Sequence, residues 1–222
     1  MKKFTLLDGA ALVVWLLPAV YLYFIYPTLS QTVPVHYGLN GTIDRYGTKN
    51  EFLAGPLILI GVSVLVYLLL RFLSAIDPKK QIKYGQETFQ KLALGVVIFL
   101  AALNVAIIFA TVHRGFQLHK LMFPIIGLLF VFLGNIMNSI KPNYFAGIRT
   151  PWTLESEDNW RATHRLASKI WFAGGIILTI AMLFLPAKAG TIFFISCVAI
   201  MVLIPVIYSF VYFKKRQLNQ NS

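Results

Sequence analysis

The sequence NYFAGIRTPWTLESEDNWRATHR, residues 143–165, is a long polar interruption between two apolar blocks. It contains two Trp residues, three Arg residues and three of the eight acidic residues of the chain. Burial in hydrocarbon does not explain this mixture, because charged side chains at the centre of a bilayer are costly. The interruption marks where one apolar segment leaves the membrane and the next returns, and we expect function to be concentrated in it rather than in the helices.

The composition of the whole chain is that of a membrane protein. Hydrophobic residues make up 58% of its 222 residues, charged residues make up 13%, and the mean hydropathy is +0.71. These values lie outside the range of soluble domains, and a spanning helix needs about 20 apolar residues. We predict an all-α polytopic membrane protein with six transmembrane helices, the first of them an uncleaved segment rather than a signal peptide. The predicted spans are 9–26, 52–73, 92–112, 121–140, 170–185 and 191–213.

The net charge of +12 follows the membrane rather than a nucleic acid. With both termini in the cytoplasm, fifteen of the twenty Lys and Arg residues fall on the inner side. That bias in short loops is the positive-inside pattern, and the opposite topology would violate it at almost every loop. We therefore predict cytoplasmic termini, location in the plasma membrane, contact with membrane lipids and no direct nucleic-acid partner.

Two long loops organise the chain into two predicted regions. Residues 1–75 form a helix pair joined by a structured external loop at 27–51. Residues 76–222 form a membrane domain that carries a cytoplasmic signature loop at 141–169.

The external loop contains a strong signal for a tight turn at Asn40-Gly41, because both residue types tolerate positive φ. A small hairpin-like flap on the outer face is therefore expected. The same two residues are equally consistent with a purely structural turn.

Three Asn residues are the polar exceptions inside the predicted spans: Asn104, Asn135 and Asn138. We interpret them as interhelical hydrogen-bonding or packing residues. Every Asp, Glu, Lys and Arg falls at a predicted helix end or in a loop. This distribution argues against a buried proton relay or a charge-coupled transport path.

The local pattern of the cytoplasmic loop predicts a turn followed by a helix. Pro151 fixes its own φ and disfavours a helical conformation at the preceding residue. Ser156 is suited to cap a new helix, with Glu157 and Asp158 in its first turn, and this amphipathic helix is expected to run into the fifth span. An ion pair from Arg149 to Glu155, Glu157 or Asp158 is expected to make the loop compact.

A simpler interpretation of the same loop assigns it to lipid contact. Trp152 and Trp160 are of the type that anchors a protein at the membrane interface, and Arg161, Arg165 and Lys169 are suited to phosphate headgroups.

No catalytic, metal or cofactor site is predicted, and we expect the chain not to be an enzyme. Cys197 is alone in the sixth apolar block, which excludes an internal disulfide or a thiolate cluster. His113 and His119 are six residues apart, and no metal-binding pair of His residues is present. Ser156 and His164 lack the third member of a catalytic triad.

The polar loop resembles the signature of the SdpI family of bacterial immunity membrane proteins. Gly134-Asn135 resembles the end of the family's fourth helix. The residues that carry the resemblance in the loop are Asn143, Gly147, Ile148, Arg149, Thr150, Pro151, Trp152, Thr153, Leu154, Trp160 and the run from Arg165 to Lys169. The external loop resembles a separate domain of unknown function that often precedes this family, through Pro34, Tyr37, Asn40, Gly41, Asp44 and Arg45.

The resemblance implies a multi-spanning protein that protects a Gram-positive producer against a secreted toxic peptide. It also implies, for one type of member, that a small cytoplasmic helix-turn-helix repressor is held at the membrane when toxin is sensed. On this basis we assign external sensing to His36, Tyr37, Asn40, Asp44 and Arg45. The internal surface is assigned to Arg149, Trp152, Glu155, Asp158 and Trp160.

Two alternatives from other classes remain open at this point. A small transporter or channel would need polar groups along a path through the membrane, and the predicted spans supply three Asn residues for this purpose. A membrane assembly factor would use the cytoplasmic loop to bind lipid or a partner without toxin specificity.

Overall fold

The computed structural model describes residues 4–38, 41–76, 86–113 and 115–220 of the chain. Most of this chain is helical, and a short β-hairpin follows the first helix. The elements are α1 (Leu6–Ile25), β1 (Thr32–Tyr37), β2 (Ile43–Thr48), α2 (Lys49–Ile76), α3 (Gln86–Val112), α4 (His119–Met137), α5 (Pro151–Glu155), α6 (Glu157–Phe184) and α7 (Ala187–Gln220).

Within the described ranges, six helices are long and apolar enough to cross a membrane, namely α1, α2, α3, α4, α6 and α7. The predicted class of a polytopic helical membrane protein is therefore confirmed. Many large apolar side chains on these helices are exposed, among them Leu16 on α1 and Leu65 on α2. An apolar surface of this kind is typical of a lipid-facing helix, because lipid tails, like a protein core, shield apolar side chains from water.

The fifth span is the C-terminal part of a longer helix, as the amphipathic pattern predicts. The Ser156 side chain caps α6 by accepting a hydrogen bond from the Asn159 N–H at 3.3 Å. Glu157 and Asp158 lie in the first turn, where they face the positive end of the helix dipole. The helix then continues without a break from the polar loop into the apolar segment.

The predicted hairpin is present as the antiparallel pair of β1 and β2, in which Thr32 lies opposite Thr48 and Tyr37 opposite Ile43. Gly41 has a φ of +75°, as a tight turn requires. Asn40, the other residue of the turn signal, lies outside the described residues.

Helices α4 and α6 approach each other closely because glycines face the partner backbone. A Cβ on Gly134 would lie 2.4 Å from the Phe172 nitrogen, and one on Gly175 would lie 2.6 Å from the Val131 nitrogen. Small residues allow this close approach of helices in membranes. The Ser168 hydroxyl adds a 2.6 Å hydrogen bond to the Gly134 carbonyl.

Helices α1 and α2 are joined by a buried ion pair that the sequence pattern did not reveal. The Arg71 guanidinium contacts the Asp8 carboxylate through Nε at 2.7 Å and Nη2 at 3.0 Å. The Tyr67 hydroxyl donates to the same carboxylate at 2.6 Å. Both charges fall near helix ends in the sequence, yet only 6% of the Arg71 side chain and 11% of the Asp8 side chain are exposed.

The three Asn residues of the predicted spans have different surroundings. Asn104 is buried and donates from Nδ2 to the Pro56 carbonyl on α2 at 2.9 Å, so its interhelical role is confirmed. Asn135 and Asn138 do not fit that interpretation. Because α4 ends at Met137, Asn135 lies in its last turn and Asn138 just beyond it, and both side chains are exposed.

The two ends of the bundle carry different structures. The hairpin end contains β1, β2 and the turns that join α3 to α4 and α6 to α7. The loop end contains residues 138–156, including α5.

Candidate functional site

The polar loop at the loop end is ordered by its own side chains, beginning with Asn143. The Asn143 Oδ1 atom accepts from the N–H groups of Phe145 at 2.7 Å and Ala146 at 2.8 Å. Its Nδ2 atom donates to the carbonyls of Lys141 at 2.8 Å and Ala146 at 3.0 Å. A buried amide with every hydrogen-bonding direction used inside the loop is a structural residue.

The next turn is held against α6 by Gly147 and His164. Gly147 has a φ of +113°, and a Cβ there would lie 2.4 Å from His164 Nε2 and 3.1 Å from the Trp160 ring. The Ile148 N–H donates to His164 Nε2 at 3.1 Å. His164 Nδ1 lies 2.8 Å from the Trp160 carbonyl, so the imidazole carries its proton on Nδ1.

Trp160 is part of the protein interior. Only 1% of it is exposed, its indole N–H donates to the Ile140 carbonyl at 2.8 Å, and its ring stacks on His164 with centroids 4.1 Å apart. The interpretation of Trp160 as an interfacial anchor is therefore wrong. The pattern of aromatic residues flanking apolar segments does not distinguish a buried Trp from a Trp at the membrane surface.

The motif at Thr150 to Thr153 forms the start of α5, as the Pro151 signal predicts. Thr150 and Thr153 form a reciprocal capping box, with the Thr150 N–H donating to Thr153 Oγ1 at 2.9 Å. The Thr153 hydroxyl donates to the Ile148 carbonyl at 2.8 Å. Pro151 stands at the first helical position, where its missing N–H costs nothing.

Helix α7 closes the site through Ser209, a residue that the sequence pattern did not single out. The Trp152 indole N–H donates to Ser209 Oγ, and Asn159 Nδ2 donates to the Ser209 carbonyl at 2.9 Å. The Thr163 hydroxyl in turn donates to Asn159 Oδ1 at 3.0 Å. Asn159 and Thr163 are polar residues next to Trp160 and His164 on the buried side of α6. The helical spacing of these four residues in the sequence indicates that they share one face of α6.

The expected ion pair of Arg149 with the loop carboxylates is wrong. Glu157 pairs with Arg161 on the same helix, and Asp158 pairs with Arg216 of α7 at 2.8 Å. Arg149 instead donates to the Tyr144 carbonyl. Arginines closer to Glu157 and Asp158 along α6 and α7 therefore pair with these two carboxylates in place of Arg149.

The exposed part of the loop end is small and mixed in character. Its exposed residues are Asn138, Ser139, Lys141, Tyr144, Arg149, Pro151, Leu154 and Glu155, together with the charged residues of the first turns of α6. Arg165 is also exposed, on the outer side of α6. These side chains project from a loop whose buried residues are all engaged.

At the hairpin end, the residues of the external loop are brought together in pairs. His36 Nδ1 lies 2.6 Å from Asp44, and Arg45 pairs with Glu51, both pairs being exposed. The Tyr37 hydroxyl lies 3.3 Å from Thr111 Oγ1 of α3, and burial raises the pKa of the Tyr37 phenol.

The turn of the hairpin packs on the start of α4. A Cβ on Gly41 would lie 2.5 Å from His119 Nδ1 and 2.9 Å from the His119 nitrogen. Pro34 lies opposite Tyr46 in the register of the two strands. The hairpin is therefore a docked part of the bundle, and Asn40 is the one residue of the predicted external set that lies outside the described residues.

A cavity of about 590 Å³ lies between the hairpin and the helix ends. Hydroxyl groups of Thr28, Thr32 and Tyr46 and the amide of Gln117 line it, and Val33 and other apolar residues complete its wall. Among the described residues that line it, none is charged. Across the described ranges, no three His, Cys, Asp or Glu side chains come together as metal ligands.

Comparisons with known proteins find similarity in two separate segments of the chain. Residues 139–209 match the SdpI/YfhL protein family, and residues 13–60 match a domain of unknown function, DUF1648. The chain is 27% identical over 128 residues to Immunity protein SdpI of Bacillus subtilis (strain 168). That match covers 54% of this chain and 61% of the relative's length.

No solved structure matches the chain. The family match begins at Ser139, ahead of the loop turn closed by Asn143, and ends at Ser209, the α7 residue that closes the site. The chain is a multi-pass membrane protein in which residues 139–209 match the SdpI/YfhL family and residues 13–60 match DUF1648.

Proposed function

We propose that this protein is an immunity protein that protects the cell that makes it against a secreted peptide toxin. The observation that carries the proposal is the 27% identity to Immunity protein SdpI, supported by the SdpI/YfhL match over the loop end. The proposed host is a Gram-positive bacterium, and the proposed location is its plasma membrane.

The proposed orientation places the hairpin end outside the cell and the loop end in the cytoplasm. The charge bias supports it, because Lys and Arg residues concentrate in the segments assigned to the inner side. A toxin that arrives from outside then meets the hairpin end first.

Toxin recognition is proposed at the cavity of the hairpin end and at the exposed pairs on the hairpin. An uncharged wall of hydroxyl and apolar groups suits an uncharged peptide segment, because such a segment brings apolar side chains together with backbone hydrogen-bonding groups. His36, Asp44 and Arg45 are exposed on the hairpin beside this cavity. Tyr37 is hydrogen-bonded to Thr111 of α3 and contributes by positioning the hairpin.

The loop end is proposed as an output surface that holds a small cytoplasmic repressor. Trp160, with the other buried residues of the loop, forms a rigid base. The exposed Arg149, Leu154 and Glu155 present two charges and an apolar side chain on that base. Few-residue surfaces of this kind act in binding when their scaffold fixes their positions.

Two readouts separate protection from signalling. Cells expressing the protein are challenged with the toxic peptide fraction secreted by the parent strain, and survival is scored beside a reporter fused to the promoter of the gene. Arg149→Ala is expected to leave survival and membrane abundance unchanged and to abolish induction of the reporter. Lys169→Ala, an exposed cation of α6 outside this surface, is the matched control. Full induction of the reporter in Arg149→Ala would contradict the proposed output role of the loop end. The proposed protection is tested separately, by survival of the cells.

A variant at the other end tests recognition. Ala110→Phe places a ring in the wall of the hairpin-end cavity. Its expected effect is loss of both survival and induction at normal abundance, because sensing precedes output. Unchanged survival in a folded variant would place recognition elsewhere.

A further inference from the structure

A lateral groove runs between α3 and α4 on the lipid-facing surface of the bundle. It consists of two hollows of about 490 and 630 Å³ that share Ile98, Ala102 and Ile125. The second hollow, toward the hairpin end, is lined by apolar side chains such as Phe109 and Leu121. The first hollow, toward the loop end, has the same apolar character along its length but ends in polar groups.

The dimensions of the first hollow match one leaflet of a bilayer. Its α3 wall runs from Lys91 to Ala102, which is about 16 Å along a helix at 1.5 Å per residue. The hydrocarbon core of a bilayer is about 30 Å thick, so one leaflet occupies about half of it. Between these two residues the hollow is lined by Leu94, Leu128 and Phe132, with which an acyl chain makes apolar contacts.

The polar end of this hollow combines a cation with two neutral hydrogen-bonding groups. Lys91 has 57% of its side chain exposed, and Asn135 and Ser139 of the α4 end are exposed beside it. Within the described ranges the Asn135 amide and the Ser139 hydroxyl make no side-chain hydrogen bond. Lys91 contacts Glu87 at 2.7 Å, an exposed pair one helical turn apart that water screens.

We propose that this hollow is a binding site for one phospholipid with an anionic headgroup. The phosphate lies against Lys91, Asn135 and Ser139, and an acyl chain fills the apolar part as far as Ala102. Charge complementarity favours this occupant, because Lys91 attracts an anionic headgroup. It disfavours a second copy of the chain, which carries a net charge of +12.

The site also accounts for Asn135, which does not serve as an interhelical hydrogen-bonding residue. A side-chain amide at the end of a span donates to a phosphate oxygen through Nδ2. Its exposure at the mouth of the hollow is what headgroup contact requires.

The test is lipid retention by the full-length protein in native mass spectrometry, with dioleoyl phosphatidylglycerol and dioleoyl phosphatidylcholine as probes. Wild type is expected to retain one phosphatidylglycerol in preference to phosphatidylcholine. Lys91→Gln is expected to lower phosphatidylglycerol retention about fivefold, as loss of one Lys near an anionic headgroup implies. Lys169→Gln, which removes an exposed Lys from α6, is expected to retain the wild-type level.

Filling the hollow is the second arm of the test. Ala102→Phe is expected to lower retention of both lipids, whereas Ala19→Phe, at an exposed Ala of α1, leaves retention unchanged. If Ala102→Phe does not fold, Asn135→Leu, at an exposed position, carries the test through its expected loss of phosphatidylglycerol preference. Equal retention of the two lipids by wild type, equal loss in Lys91→Gln and Lys169→Gln, or chain-to-chain cross-links across the hollow would overturn the proposal.

Discussion

His164 accepts a hydrogen bond at Nε2 from the Ile148 N–H, 3.1 Å away, and thereby ties the polar loop to α6. The same ring donates from Nδ1 to the Trp160 carbonyl and stacks on the Trp160 indole. One imidazole therefore uses both nitrogens and one face to fix the turn that follows Gly147. The loop end is a rigid structure because of this arrangement, and its exposed residues inherit that rigidity.

Replacing His164 with Phe keeps a stacking ring but removes both hydrogen bonds. We expect a loss of about 1–3 kcal/mol in the free energy of unfolding, because the Ile148 N–H is left without its acceptor. The measurement is denaturant unfolding of the purified protein in detergent micelles. His113→Phe is the control, since His113 also bonds the carbonyl four residues earlier and stacks on an aromatic ring, but is exposed. Equal losses in the two variants would contradict the role of the Ile148 bond.

Gly147→Ala is expected to destabilise the protein more than Gly115→Ala. Both glycines have φ between +90° and +113°, so both substitutions strain the backbone. Only at Gly147 does the new Cβ meet other groups, at 2.4 Å from His164 Nε2, whereas nothing lies within 4 Å at Gly115. The difference between the two unfolding free energies is expected to be about 1–3 kcal/mol, the cost of overpacking. Equal values would show that backbone strain alone sets the requirement for Gly147.

Asp8→Asn is expected to destabilise the contact of α1 with α2 severely. Removing one partner of a buried ion pair typically costs about 3–5 kcal/mol, because the other charge stays buried. The readouts are thermal unfolding and protease cleavage near the N-terminus. Glu157→Gln removes an exposed partner of Arg161 and is expected to cost no more than about 1 kcal/mol. A small effect at Asp8 would mean that Arg71 finds another partner or reaches the membrane surface.

Trp152 and Ser209 are expected to be energetically coupled. Phe at position 152 removes the indole donor, and Ala at position 209 removes the acceptor hydroxyl. A double-mutant cycle on unfolding free energies is expected to give a coupling of about 0.5–1.5 kcal/mol, the net value of one hydrogen bond. Trp171, whose indole N–H donates to the Met201 backbone carbonyl, supplies the control through Trp171→Phe combined with Ser209→Ala. A coupling near zero for Trp152 and Ser209 would contradict the closure of the loop by α7.

Much of the fold follows from patterns that the sequence displays directly. Apolar runs separated by polar loops predict six spans, and Pro151, Ser156 and Gly41 predict the turn, the helix cap and the hairpin. These signals are local, since each depends on the conformational preference of a residue and its neighbours. The ion pair of Asp8 and Arg71 joins residues 63 positions apart. No local pattern indicates that these two charges, each near the end of a helix, are buried together.

The candidate site was predicted as a region more accurately than as a set of roles. The segment from Asn143 to Trp160 covers most of the loop end and the first turn of α6, but several of its residues serve structure rather than contact with a partner. Arg149 was assigned the wrong acceptor because its partner is a backbone carbonyl, which sequence does not identify. Ser209 was missed because a lone Ser in an apolar helix has no distinguishing pattern until α7 is placed against α5.

The most direct test of the proposed immunity is deletion of the gene in the organism that carries it, followed by challenge with the peptide fraction secreted by the parent strain. We expect survival of the deletion strain to fall at least about tenfold and to be restored by the wild-type gene. We expect that Ala110→Phe at the hairpin end does not restore survival, whereas Arg149→Ala at the loop end does. A deletion strain that survives the challenge as well as its parent, with the protein normally present in the parent membrane, would contradict the immunity function.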